Sequence, residues 1–341
     1  MRKGSPAASP VTTETTGAAT TKGGNDKGLN INGIIALLLI VVGLGVLLYP
    51  VVATQWNNVL QAKAAEEYSK LESKVPPEQL RTAWEDAQRY NAELGDISVG
   101  DAWTSSDDVN DPAYQRYLRY LSVLADTSVM GRIVIPSINS DLPIYHGTSD
   151  EALNRGVGHL YGTDLPVGGI GNGEGRHSAL SAHTGLQNAT LWDNLVKVKK
   201  GDAFYISAGG EKLKYEVHDI RIVEPSDTSS LTREPGQDLV TLITCTPYGV
   251  NTHRLLVTGH QVPMDPSDSD VFDGNNLQWQ WWMWAILAAA ALIIALLIAW
   301  LRKNLRAGRA AAAGGDEDSP TAAAAGGAAS AGGAGRVSGR N

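Results

Sequence analysis

Two long apolar runs constrain this chain of 341 residues more than any other feature. Residues 33–53, GIIALLLIVVGLGVLLYPVVA, and residues 283–301, MWAILAAAALIIALLIAWL, are almost unbroken by polar groups. Each is close to the ~20 residues that carry a helix across the hydrocarbon core of a bilayer. A signal peptide has an apolar stretch of only about 7–15 residues, so the first run predicts a retained anchor. Trp279, Trp281, Trp282 and Trp284 lead into the second run, and Trp300 lies near its end. Indole rings settle at the headgroup level, so this pattern predicts a span with an interfacial belt.

Basic residues flank both runs on their outer sides. Arg2, Lys3, Lys22 and Lys27 precede the first, and Arg302, Lys303, Arg306 and Arg309 follow the second. Basic flanks stay in the cytoplasm. The expectation is a two-pass protein of the cell membrane with both termini cytoplasmic and residues 55–280 outside. The formal net charge of −8 argues against a nucleic-acid partner, which calls for a basic face.

The remaining sequence divides by composition. Residues 1–30 and 302–341 are Gly/Ala/Thr-rich and low in complexity, and are expected to be disordered cytoplasmic tails. Residues 31–54 and 283–301 are the expected membrane helices. Residues 55–128 form a helical segment, with helical spacing from Trp56 to about Leu94. YQRYLRYLSVL then predicts a short helix with Tyr117, Tyr120, Leu121 and Leu124 on one face. Residues 129–264 change character. GRIVIPSI, DLPIYHG, HSALSAHT, DAFYISAG, EKLKYEVHDIRIVE, DLVTLITC and RLLVTGHQV are short β-rich runs punctuated by Gly, Pro, Asn and Asp. Many short strands predict a barrel or sandwich. SDEALNRG and TLWDNLVKV are expected to be short helices between strands, and residues 265–282 a linker.

The chain has a single cysteine, Cys245, so it forms no internal disulfide. A lone cysteine in an exported segment is a reactive thiol, an intermolecular link or a buried small hydrophobe. Its neighbours favour the first. Only eight residues, 246–253, separate the strand ending at Cys245 from the strand starting at Arg254. So short a connection joins antiparallel strands, because a parallel crossover needs a dozen or more residues. Cys245 and Arg254 are therefore predicted to be neighbours in space. A permanent cation favours the thiolate, which is the nucleophilic form, and can stabilise an oxyanion.

Such a pair still needs a proton carrier, and histidine is the usual one. The chain has seven histidines. His183 closes HSALSAHT at a strand edge beside a turn. His253 alternates away from Arg254, and His218 lies in a charged strand. No two histidines have metal-ligand spacing within one element, so no metal is expected. Spacing alone leaves the choice of histidine open.

TLITC followed by TPYGVNTHRLLVTGH resembles the active-site strand–loop–strand of a sortase, and SAHTG resembles the sortase histidine motif. GRIVIPSI with LPIYHG, and a membrane span after the β-rich segment, resemble class C, the pilus-assembling sortases. The resemblance covers roughly residues 56–301. It implies a mainly β fold: a closed eight-stranded barrel with short helices, an N-terminal helical lid and two flanking membrane helices. It also implies a catalytic set of Cys245, His183 and Arg254.

Class C lids usually carry Asp-Pro-aromatic. GDAW matches at Asp101 and Trp103, with Ala102 in place of the proline. DPAY is a second candidate through Asp111 and Pro112, but Tyr114 falls one position late. The first is preferred, with Asp101 bonding Arg254 and the Trp103 indole covering the thiol. Losing the proline predicts a lid that opens more easily.

The implied substrates are pilins or other surface proteins with a Leu-Pro-x-Thr-Gly-like sorting signal, and no cofactor is needed. The acceptor is a pilin lysine, or alternatively a cell-wall precursor amine. A cysteine hydrolase and a non-catalytic membrane scaffold are the readings from other classes.

Overall fold

The structure is a computed structural model that describes residues 31–96, 99–103, 110–122, 128–274 and 277–313. The tails expected at 1–30 and beyond 313, and Leu124, lie outside the described residues. The chain divides into a compact unit of residues 44–290 and a second unit containing its two ends.

Within residues 44–290, eight strands close into a barrel in the order β1-β2-β3-β4-β7-β8-β6-β5. They are β1 Val129–Ile135, β2 Ser140–His146, β3 Val157–His159, β4 Arg176–Ser181, β5 Ala203–Ala208, β6 Glu211–Val223, β7 Asp238–Thr246 and β8 His253–Val262. The pairs β2/β3 and β4/β7 are parallel and the others antiparallel. Closure leaves no unpaired edge, which a sheet of this size would otherwise have to protect.

Seven of these strands fall on the β-rich runs read from the sequence. The short β3 does not, because it has only three residues and is specified by its neighbours rather than by its own pattern. Strand β6 alternates buried and exposed positions, whereas β1 and β7 are covered on both faces. The interior holds Ile133, Ile144, Leu180, Phe204, Tyr215, Val240, Leu242 and Val257. Phe204 stacks on Tyr215 at 5.3 Å, and Gly259 makes room for them. A β-carbon at Gly259 would come within 2.6 Å of the Phe204 ring.

Helix α1, Ile31–Glu72, runs without interruption from the first apolar run into the barrel-associated segment. It stops before Pro76 and Pro77, and α2 follows at Pro77–Glu93. The helical stretch expected from Trp56 to Leu94 is thus two helices. Proline disfavours helix for the residue before it but suits the first helical turn. Helix α3 spans only Pro112–Tyr117 and is followed by turns at residues 118–121, with Leu121 left-handed at φ 57°. Helix α4 is Asp150–Arg155, as expected. The predicted helix in TLWDNLVKV reduces to a 3-10 turn at Leu195–Lys197.

Residues 266–272 of the segment expected as a linker pack on the barrel. Pro266–Phe272 forms a 3-10 helix closed by a capping box of Asp265 and Asp268, and Phe272 is buried against Val134 and Tyr205. Arg132 forms a buried pair with Asp141, and it also donates to the Phe272 and Gly274 carbonyls and to Ser69 of α1. Helix α5, Trp281–Ala313, continues past Leu301 into residues expected as tail, where alanine, arginine and lysine favour helix. Both α1 and α5 are long and apolar enough to cross a membrane.

Candidate active site

Strands β7 and β8 set the first two side chains. Their antiparallel register pairs Cys245 directly with Arg254, and Thr246 with His253, as the short loop requires. Side chains of such a pair project to the same face of the sheet. His253 points the other way and is exposed, while Cys245 and Arg254 are buried. His218 is also exposed, on the outer face of β6.

Strand β4 brings His183 to the same end. It runs parallel to β7, and its last residue, Ser181, pairs with Ile243. Beyond that pair the two chains stay joined. The Ala182 amide donates to the Ile243 carbonyl at 3.1 Å, and the Thr244 hydroxyl donates to the Ala182 carbonyl at 2.7 Å. His183 and Cys245 therefore leave adjacent strands at one barrel end. Gly185 and Gly249 bring the two following loops close, since a β-carbon on Gly185 would sit 3.5 Å from the Gly249 amide.

Residues 99–103 lie across this end. Asp101 accepts from Arg254 Nε at 2.7 Å and from its terminal nitrogen at 2.8 Å. The Trp103 indole Nε1 donates to His183 Nδ1 at 3.1 Å. The Arg254 guanidinium lies 4.7 Å from the centre of the Trp103 ring. Val99, Ala102 and Trp103 pack with Leu160, Ala179, Leu231, Ile243 and Leu256 in a small apolar cluster. Asp101 thus meets Arg254 as expected, whereas the indole contacts found are with His183 and Arg254. The alternative DPAY supports the fold instead. Asp111 caps α3 by accepting from the Ala113 amide, and Tyr114 is buried against Tyr117 and Tyr161.

Burial under this cover favours the neutral forms of the thiol and the imidazole. Burial pushes the Cys245 thiol above its ordinary 9.0; Arg254 pulls it down and Asp101 pushes it up. Burial lowers the His183 imidazole below 6.5. A thiol, an imidazole and a fixed cation are the components of an acyl-transfer centre. Here they are desolvated, with the cation paired to a carboxylate from residues 99–103.

Sequence reading missed the groups behind His183. Asp193 accepts from the Gly185 amide at 2.7 Å and the Thr184 hydroxyl at 3.1 Å, fixing the turn after the histidine. Burial raises Asp193 to about 6. Nothing near Asp193 in sequence signals this contact. Among the described residues no group of three or more His, Cys, Asp or Glu side chains could hold a metal ion.

Known proteins resemble this chain in sequence and fold. The family model for the sortase domain matches residues 133–262. The solved sortase C-1 of Actinomyces oris is 53% identical, covering 55% of this chain and 99% of that one, with a TM-score of 0.52. Sortase C of Streptococcus pneumoniae is 37% identical over 59% of this chain and 97% of its own, also at 0.52. A structure named sortase A, from Corynebacterium diphtheriae, is 44% identical over 64% of this chain and 100% of its own, at 0.55. Sortase A of Bacillus anthracis is 31% identical across 134 residues, which are 39% of this chain and 60% of that protein. The chain belongs to the sortase family of transpeptidase enzymes, and its solved neighbours include class C sortases.

Proposed function

We propose that this protein is a membrane-anchored cysteine transpeptidase that cleaves a Leu-Pro-x-Thr-Gly-like sorting signal and joins the freed acyl group to a lysine amine of a pilin subunit. The observation that carries the chemistry is the Cys245–Arg254 register pair, with the strand bearing His183 running alongside. Class C neighbours support the pilin acceptor, since the work on the S. pneumoniae enzyme concerns pilin substrate specificity.

The steps follow from the groups. The Cys245 proton passes to His183, and the thiolate attacks the threonine carbonyl carbon to form a C–S bond. Arg254 donates to the oxyanion that develops, once Asp101 has released it. The Thr–Gly C–N bond breaks as the His183 imidazolium protonates the leaving amine. A lysine amine then attacks the thioester, His183 takes its proton, and the thiolate leaves. No oxidant, metal or organic cofactor enters this balance.

Residues 99–103 act as a lid. Val99 and Ala102 fill the apolar cluster with Leu231, Ile243 and Leu256, where an apolar substrate residue would otherwise sit. The span assignments support residues 55–280 lying outside the membrane with both termini inside. Transfer to a cell-wall precursor amine is the alternative acceptor, and a hydrolase is the alternative outcome.

The test is mass spectrometry of the full chain in detergent with a Leu-Pro-x-Thr-Gly peptide, with and without a lysine-containing pilin fragment. The amine should convert the thioester into an amide-linked product. Release that the amine does not accelerate would point to a hydrolase.

A further inference from the structure

The loop that follows His183 is held from behind by both membrane-connecting segments. Helix α1 leaves its apolar run at Ala53, and the next turn carries Thr54, Gln55, Asn57 and Asn58. Asn58 is buried and bonds Thr190 in both directions. Its Nδ2 donates to the Thr190 hydroxyl at 2.9 Å, and its Oδ1 accepts from the Thr190 amide at 3.1 Å. Gln278, in the stretch before α5, is buried too. It donates to the Leu191 carbonyl at 3.1 Å and accepts from Asn194 at 3.0 Å. Gln55 and Asn58 both donate to the Gln278 backbone carbonyl, at 2.9 and 3.4 Å, so the two segments are joined to each other at this point.

The held loop is under backbone tension. Leu191 is buried and left-handed at φ 38°, a conformation a branched side chain avoids. Such a residue persists where its surroundings over-determine it. Here Thr190 is fixed by Asn58, the Leu191 carbonyl by Gln278, and the fully buried Trp192 by the core. The Trp192 amide then donates to the His183 carbonyl at 3.1 Å, which closes the loop on the histidine itself.

We infer that Asn58 and Gln278 are positioning residues for His183, acting through the Thr190–Trp192 segment, so that the membrane-proximal parts of the chain belong to the catalytic apparatus. This inference rests on His183 being the proton carrier proposed above. Asn58 and Gln278 lie outside the barrel strands, on the segments next to the apolar parts of α1 and α5. They are buried amides with several good partners each, and buried polar groups of this kind specify one arrangement when every partner is present.

The test uses the full chain in detergent in a Trp103→Ala background, which frees His183 from the indole. The probe is iodoacetamide, and the readout is the pH profile of Cys245 alkylation beside the melting temperature. His183→Ala should move the profile midpoint, because the thiolate loses its proton partner. Asn58→Ala and Gln278→Ala should each move it in the same direction, by about half a pH unit. Asn58→Asp should recover part of the shift, since a carboxylate accepts from both the amide and the hydroxyl of Thr190 but cannot donate to the Gln278 carbonyl.

A lowered melting temperature with an unmoved profile would mean these residues only support the fold, and would overturn the inference. If one alanine variant fails to fold, the other still decides. If His183→Ala itself leaves the profile in place, the role given to His183 falls, and this inference with it. If His183→Ala moves the profile while both amide variants superimpose on the background, only the inference falls.

Discussion

Asp101 and Arg254, 153 residues apart in the chain, meet in a two-pronged ion pair at 2.7 and 2.8 Å. Both side chains are largely covered, at 7% and 11% exposure. The contact closes residues 99–103 over the barrel end and occupies the cation beside Cys245. Asp101 also raises the thiol pKa that Arg254 lowers. Asp101→Ala should therefore raise the rate of Cys245 alkylation at pH 7, through better access and more thiolate. A charge-assisted pair of this kind is worth on the order of 1.5–3 kcal/mol, so a rise of roughly tenfold to a hundredfold is expected. An unchanged rate would remove the lid from the account.

Ala102 is buried in the proposed lid, at the position where the resemblance to class C lids implies a proline. Ala102→Pro should stiffen the segment and reduce its cleavage by a nonspecific protease, by roughly twofold to fivefold for about 0.4–1 kcal/mol of lost chain entropy. Equal cleavage of the two proteins would show that the contacts of Asp101 and Trp103 alone set lid opening.

Arg254→Lys keeps the charge but cannot reproduce the planar two-pronged contact with Asp101. Its acyl-transfer rate should fall at least tenfold if the fork also holds the oxyanion. Arg254→Ala should fall further. Comparable rates for lysine and arginine would mean that a point charge suffices.

Asp238 gives a pH prediction away from the site. Burial raises it from 3.8 to about 7 beside the Tyr215 hydroxyl and the Gly169 amide. The folded state thus binds a proton that the unfolded state has lost. Stability from this group is present below about pH 4 and is lost as pH rises to about 7. Asp238→Asn should be more stable than the parent at pH 8, by on the order of 4 kcal/mol, with the gain vanishing near pH 4. Melting curves at the two pH values measure it, and a gain that does not depend on pH would contradict it.

The parts of the site that were legible in the sequence are the parts fixed locally. Eight residues between Cys245 and Arg254 leave an antiparallel hairpin as the simple solution, and the register follows. His183 needed the family resemblance, because its strand reaches β7 through a parallel pairing some sixty residues away. The Trp103–His183 bond, the Asn58–Thr190 pair and the Asp193 turn were not legible at all. The first two join segments 80 and 132 residues apart, whose proximity exists only after the barrel has closed, and the third depends on the path of an irregular loop that carries no periodic pattern. Pro76 and Pro77 mark the division between α1 and α2, which the helical spacing on either side masks. The three residues of β3 carry too little pattern to be read as a strand.

The most direct test of the account is the covalent state of Cys245. The full chain, its Trp103→Ala variant and its Cys245→Ala variant are incubated in detergent with a Leu-Pro-x-Thr-Gly peptide and analysed by mass spectrometry. The account predicts a thioester on Cys245 in the first two, more of it in Trp103→Ala, and none in Cys245→Ala. It also predicts loss of the adduct, with formation of an amide-linked product, when a lysine-bearing pilin fragment is added. Peptide cleavage that survives in Cys245→Ala, or a Trp103→Ala enzyme that forms no adduct across a panel of sorting pentapeptides, would contradict it.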